Sequence, residues 1–303
     1  MNQLLNKYPL VLMEAAVVEQ LRRYESIKLH AELENALLIY NDDERVILEN
    51  LYHSYLDVAL QASLPFILLT PTWRANKERI EKSGITKNVN GDAVVFLKEL
   101  VTAQQTDTPI KIGGLIGCKN DCYKPEEGLN IKEAEHFHTW QIEKLTNAGV
   151  DFLIAETLPA IPEAIGITKA MAKFDIPFII SFVIDRTGHV LDGTPLSKAM
   201  KMIDEITHNA PLGYMVNCSY PTFISAEAQP EIPYERLIGI QANASSLDQC
   251  DLDGSDQIHV DDIVVWGNEM LKLNKRYGVK ILGGCCGTGK EHLQYLTDHM
   301  DHL

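Results

Sequence analysis

Eight short apolar runs, each separated from the next by a longer amphipathic stretch, constrain the fold of this 303-residue chain more than any other feature. The runs are Leu10–Glu14, Pro65–Thr70, Ile110–Ile116, Asp151–Glu156, Pro177–Ile184, Gly213–Asn217, Leu237–Ala242 and Val279–Gly283. Most are rich in Ile, Val, Leu and Phe, the composition of strands buried on both faces of a parallel sheet. Helical patterns fill the gaps, at Asp43–Ala62, Ala93–Gln105, Ile131–Ala148, Pro162–Lys173, Ser197–His208 and Asp261–Tyr277. Pro162 suits the first turn of a helix, and Gly149 and Gly278 stand where helices should stop. Eight strands alternating with helices predict an α/β protein, a closed (β/α)8 barrel forming one domain over residues 1–303. The surplus over the roughly 250 residues usual for that fold is assigned to loops such as Lys119–Asn130 and Tyr220–Tyr234. An open doubly wound sheet is the competing architecture. It normally carries a glycine-rich turn after its first strand, and Glu14-Ala15-Ala16-Val17-Val18 has none.

The barrel reading makes a set of distant residues converge. Chemistry in such barrels gathers at the carboxyl ends of the strands. Glu14, Thr70, Glu156, Cys218, Asn243 and the pair Cys285-Cys286 all fall at or just past those ends. The two adjacent cysteines lie in Gly283-Gly284-Cys285-Cys286-Gly287-Thr288, where the glycines are expected to allow a tight bend and leave space for a ligand. Neighbouring cysteines seldom bridge each other, but as thiolates both can grip one soft metal ion. Cys218, in Asn217-Cys218-Ser219, is the third candidate. Three thiolates and one open position describe a catalytic zinc site better than a structural one, which closes with four ligands. The competing view is three buried, inert thiols. With Zn2+ the site would carry about −1, too electron-rich to activate water well. Such a site suits an incoming thiol, held as a nucleophilic thiolate at neutral pH. The reaction expected is therefore alkylation of a substrate thiol.

With these residues in place, the chain resembles the homocysteine S-methyltransferase family. The resemblance rests on Asn217-Cys218 and Gly283 to Thr288, with Glu156-Thr157-Leu158-Pro159 and Asp192-Gly193-Thr194-Pro195-Leu196 before them in order. It implies zinc on Cys218, Cys285 and Cys286, and methyl transfer from a sulfonium or ammonium donor to homocysteine, giving methionine. One departure stands out. The family usually opens with a Leu-Asp-Gly-Gly-Met-Gly-Thr-Glu-Leu type segment, whose aspartate helps to bind the substrate amino acid. Here Leu12-Met13-Glu14-Ala15-Ala16 places a longer carboxylate and fills the glycine space. The chain reads as a divergent subfamily.

Glu156 ends an apolar strand, and a charge buried there needs a partner such as a substrate ammonium. Glu14 is read as its companion, with Thr70 and Asn243 as further substrate-binding candidates. Trp73 and Tyr220 are candidates for packing a sulfonium by cation–π attraction, ordinary loop packing being the alternative. Cys118 and Cys122 are read as surface or lid cysteines, and His292 and His299 as surface residues. S-methylmethionine and S-adenosylmethionine are the donors expected. The competing functions are a betaine-dependent enzyme, a homocysteine module served by a corrinoid partner, and a non-catalytic zinc-binding barrel.

A net charge of −15 speaks against binding nucleic acid through its phosphates. No run approaches the roughly 20 apolar residues of a membrane span, and the start lacks a signal-peptide core. Six cysteines make a poor disulfide framework in so long a chain. A reducing cytoplasm is the expected compartment. The expected partners are a small-molecule thiol and a methyl donor, and an oligomeric assembly is compatible with this reading.

Overall fold

A computed structural model describes residues 1–224, 227, 229–252 and 259–301. Parts of the Tyr220–Tyr234 stretch and the Cys250 side chain lie outside the described residues. The strands are β1 (Val11–Met13), β2 (Phe66–Leu69), β3 (Ile110–Gly117), β4 (Phe152–Leu158), β5 (Phe178–Phe182), β6 (Gly213–Ser219), β7 (Leu237–Ala242) and β8 (Ile281–Gly284). They run parallel in sequence order and close into a barrel, β1 pairing with β8 through Val11 and Ile281. Every strand expected from the sequence is present, its ends displaced by at most two residues.

Strand alternation explains how the apolar runs are used. Val11, Met13, Ile67, Leu69, Phe152, Ile154, Ile179, Met215 and Ile281 fill the barrel interior. Their neighbours Leu12, Phe66, Leu68, Leu153, Ile180 and Leu282 face outward into the layer beneath the helices. A short helix, Asn2–Lys7, adds Leu4 and Leu5 to the interior cluster. Six residues are too few for a helical period to show in sequence.

The main helices follow the expected ones, Ile131–Ala148 without displacement. Asn130 and Glu133 form its capping box, and Gly149 ends it with φ 78°. The helix expected from Ala93 begins at Val89. Three residues read as exposed are not. His292 is buried, accepting from the Gly289 N–H at 3.1 Å and packing edge-on against Trp266. Cys118 and Cys122 are also buried rather than at the surface, because both pack in the outer apolar layer, where Cys118 Sγ donates to Asn120 O at 3.4 Å. Among the described residues, no helix is long and apolar enough to cross a membrane.

Candidate active site

The carboxyl ends of β6 and β8 bring three sulfurs together. The ligand atoms of Cys218, Cys285 and Cys286 all lie within 4.8 Å of one another. Cys218 and Cys285 approach to 2.6 Å. Two sulfurs on one tetrahedral zinc would stand about 3.8 Å apart, so binding would part this pair. The three thiols share charge. Hydrogen bonds from Cys218 and Cys285 draw Cys286 well below the usual thiol range. Those that Cys285 makes with Cys218 and Cys286, followed by burial, push Cys285 up. The cluster gives up its protons as a group, and a divalent cation would relieve the repulsion that opposes ionising all three. The donor set is soft, anionic and half-buried, which fits zinc.

Local folding aims these sulfurs. The β6–β7 register shifts between Asn217 and Ser219, and Cys218 takes φ 50° at that irregularity. The Cys285-Cys286 turn is held by its backbone, with Cys285 N donating to Ala242 O at 2.7 Å and Ala244 N to Cys286 O at 2.9 Å. Thr288 donates to Cys285 O at 2.6 Å and accepts from Ala16 N at 3.2 Å, tying the turn to β1. The flanking glycines serve protein packing rather than ligand space. A Cβ on Gly283 would stand 2.9 Å from Glu14 O, and one on Gly284 would stand 2.1 Å from Thr288 Oγ1.

β4 carries the matching irregularity. Its pairing with β5 shifts between Ala155 and Leu158, and Thr157 adopts φ 59°, an outlier for a β-branched residue that costs about 1–3 kcal/mol. Glu156, one residue earlier, is buried, and its Oε1 has no hydrogen-bond partner. Burial alone pushes its carboxyl up to about 8. Asn243, just past β7, is likewise buried with Oδ1 unpartnered. Two orphan acceptors at strand ends call for a ligand that donates hydrogen bonds.

The other expected site residues are engaged more fully. Glu14 Oε2 accepts from Leu69 N at 2.8 Å where β1 leaves the ladder. Burial raises its pKa well above the usual range; the Leu69 bond opposes this and the Glu156 charge adds to it. Thr70 Oγ1 bonds Thr72 Oγ1 at 2.7 Å and accepts from Leu115 N at 3.0 Å. Trp73 lies over Gly117, with the Arg74 guanidinium 4.0 Å from its ring centre, but its buried Nε1 has no hydrogen-bond partner. Tyr220 is buried in the outer apolar layer against Phe223.

Two residues not singled out from the sequence matter here. Tyr123, on the loop after β3, packs half-buried against the outer apolar layer, and its hydroxyl is pushed well up by burial and then by Cys218, Cys286, Cys122 and Cys285. Glu163 is buried in the helix Ile161–Met171. A carboxylate amid that apolar helix is the signal that could have drawn notice.

The comparisons agree with this geometry. The sequence profile described as homocysteine S-methyltransferase matches residues 11–300. The homocysteine S-methyltransferase YbgG of Bacillus subtilis (strain 168) is 22% identical over 316 residues, covering 98% of this chain and 96% of the relative. The homocysteine S-methyltransferase of Escherichia coli (strain K12) is 20% identical, covering 95% and 94%. Among solved structures, the metallated form of the homocysteine methyltransferase MmuM from Escherichia coli superposes with a TM-score of 0.77 at 18% identity, covering 98% of both chains. The chain is an S-methyltransferase acting on small molecules and belongs to the homocysteine S-methyltransferase family.

Proposed function

We propose that this enzyme moves a methyl group from a sulfonium donor, S-methylmethionine or S-adenosylmethionine, to the thiol of homocysteine, producing methionine. The observation that carries the reading is one strand-end cluster of three sulfurs within 4.8 Å, shared with a buried, unpartnered Glu156. Cys218, Cys285 and Cys286 would hold Zn2+. Bound there, zinc would lower the pKa of a substrate thiol and keep it as a thiolate.

The chain's own residues handle the remainder of the substrate. Glu156 takes the homocysteine ammonium, which supplies the donor its Oε1 lacks and draws the carboxyl back to its ionised form. Asn243 Oδ1 offers a second acceptor. The chain's net charge of −15 favours a cationic donor over an anionic one. The methyl group passes in one displacement: the bond to the donor sulfur breaks as the bond to the acceptor sulfur forms. The donor leaves as a neutral thioether. No protein residue is methylated. Cysteines kept reduced fit a cytoplasmic setting.

The test is a methyl-transfer assay of the zinc-loaded protein with homocysteine and a panel of S-methylmethionine, S-adenosylmethionine and betaine. Methionine formed with a sulfonium donor is the expected result. Product with betaine alone, or with none of the three, would contradict the proposal.

A further inference from the structure

At the mouth of the barrel an unused donor stands on the strand next to an unused acceptor. Gly117 ends β3 and is the register partner of Glu156 on β4. Earlier on these strands Gly113 pairs with Phe152 and Leu115 with Ile154. Leu115, Phe152 and Ile154 all pack in the barrel interior. Side chains alternate along a strand, so Gly117 and Glu156 take the inward face as well. A glycine leaves its inward position open, and the Trp73 indole occupies it. A Cβ on Gly117 would stand 2.6 Å from Trp73 Nε1, and Gly117 N donates to Trp73 O at 3.0 Å. The same ring also packs against the outer apolar layer, so it bridges that layer and the mouth.

Trp73 Nε1 is buried without a hydrogen-bond partner, and so is Glu156 Oε1 on the adjoining strand. An indole N–H can only donate, and an ionised carboxylate can only accept. Buried polar groups are seldom left unpaired. Opposite orphans on neighbouring strands call for a ligand that carries an acceptor and a donor close together. An α-amino acid does so, with its carboxylate and ammonium on one carbon.

The charge beside Trp73 agrees with that assignment. The Arg74 guanidinium lies 4.0 Å from the ring centre. Its Nη1 donates to the carbonyls of Asn120 at 2.7 Å and Cys118 at 3.4 Å, and no carboxylate among the described residues pairs with it. A cation here favours an anion at Nε1. By holding one face of the ring, it also disfavours a sulfonium there.

We infer that Trp73 is a specificity-determining residue whose Nε1–H binds the α-carboxylate of the acceptor amino acid while Glu156 takes its ammonium. The pair thereby selects amino-acid thiols over simple thiols. This rests on the homocysteine reading for the identity of the ligand; the hydrogen bond itself can be observed without methyl transfer.

The experiment compares full-length, reduced, zinc-loaded wild type with Trp73→Phe, which keeps an aromatic ring and loses the N–H. Calorimetry measures the binding of homocysteine and of homocysteamine, the same molecule without its carboxylate. Trp73→Phe should weaken homocysteine about 10–100-fold and leave homocysteamine within about threefold of wild type. Nuclear magnetic resonance of the isotope-labelled wild type gives a second readout, with the Trp73 indole signal assigned from through-bond spectra. Homocysteine should move that signal downfield, and homocysteamine should leave it in place. Equal weakening of both ligands would mark Trp73 as packing alone and overturn the inference. Unchanged homocysteine affinity would do the same. If Trp73→Phe does not fold, the wild-type indole signal decides. A wild type that binds homocysteine, shifts the Trp73 signal and transfers no methyl group would sink the functional reading and leave this contact standing. A wild type that binds no homocysteine would overturn both.

Discussion

Asn217 grips Thr157 twice, accepting from its backbone N–H at 2.8 Å and donating to its Oγ1 at 2.6 Å. The same amide oxygen takes the Ser181 hydroxyl at 2.7 Å. Thr157 follows Glu156, and Asn217 precedes Cys218. One amide therefore couples the residue proposed to anchor the substrate to a residue proposed to hold the metal. It also holds in place the two left-handed backbone positions, φ 59° at Thr157 and φ 50° at Cys218. Strained backbone persists only where surrounding bonds over-determine it.

Asn217→Ala should therefore do more than loosen a strand. It leaves the Thr157 N–H buried without an acceptor, a loss of about 1–3 kcal/mol in stability. Zinc affinity should fall about 10–100-fold, as when a partner that orients a ligand is removed. Chemical denaturation and competition with a chromophoric chelator measure the two effects. A variant that is destabilised but binds zinc like wild type would show that the coupling does not reach Cys218.

Glu156 makes a prediction about pH. Burial raises its carboxyl from 4.5 to about 8, so between those values the folded chain keeps a proton that the unfolded chain has released. The stability conferred by this group is full below pH 4.5 and is lost as pH rises through about 8. The melting temperature of the ligand-free protein should fall across pH 6–9, and Glu156→Gln should flatten that slope. Glu14, raised in the same direction, leaves a remainder of like sign. At pH 7 homocysteine binding should expel the Glu156 proton, because an ammonium partner restores the carboxylate. Calorimetry in buffers of different ionisation enthalpy should find less proton release for Glu156→Gln. The KM for homocysteine should rise about 10–100-fold in that variant, with zinc content intact. Loss of zinc, or an unchanged KM, would contradict the anchoring role.

The glycines before the two cysteines make a third. A Cβ on Gly283 would press on Glu14 O at 2.9 Å, a backbone atom that cannot swing aside. Gly283→Ala should lower stability by about 1–3 kcal/mol by disturbing the β1–β8 closure. Thermal unfolding of the metal-free protein checks it. A wild-type melting temperature would mean that the strands have room to part.

The barrel was legible because apolar runs of strand length recur between helical periods, a pattern set by burial alone. Cys218, Cys285 and Cys286 were legible because their residue types and strand-end placement speak together. Other contributions depend on angles that no spacing records. Asn217 reads as a neighbour of Cys218, and only the paired irregularities of β4 and β6 show that it reaches Thr157. Lys119 and Leu129 bound a polar loop, and both donate to Glu163, 34 positions beyond Leu129. His292 looks exposed at the edge of a terminal helix, yet Trp266 and the Gly289 N–H draw it inside.

The central claim is that the three thiols hold zinc and leave one position for the acceptor sulfur. Zinc-edge X-ray absorption of the reduced, zinc-loaded protein tests it most directly, before and after homocysteine is added alone. The account predicts three sulfur neighbours at about 2.3 Å in the free enzyme and a fourth after addition. Three sulfurs with no change on adding homocysteine, or zinc retained when Cys218, Cys285 and Cys286 are each replaced by alanine, would contradict it.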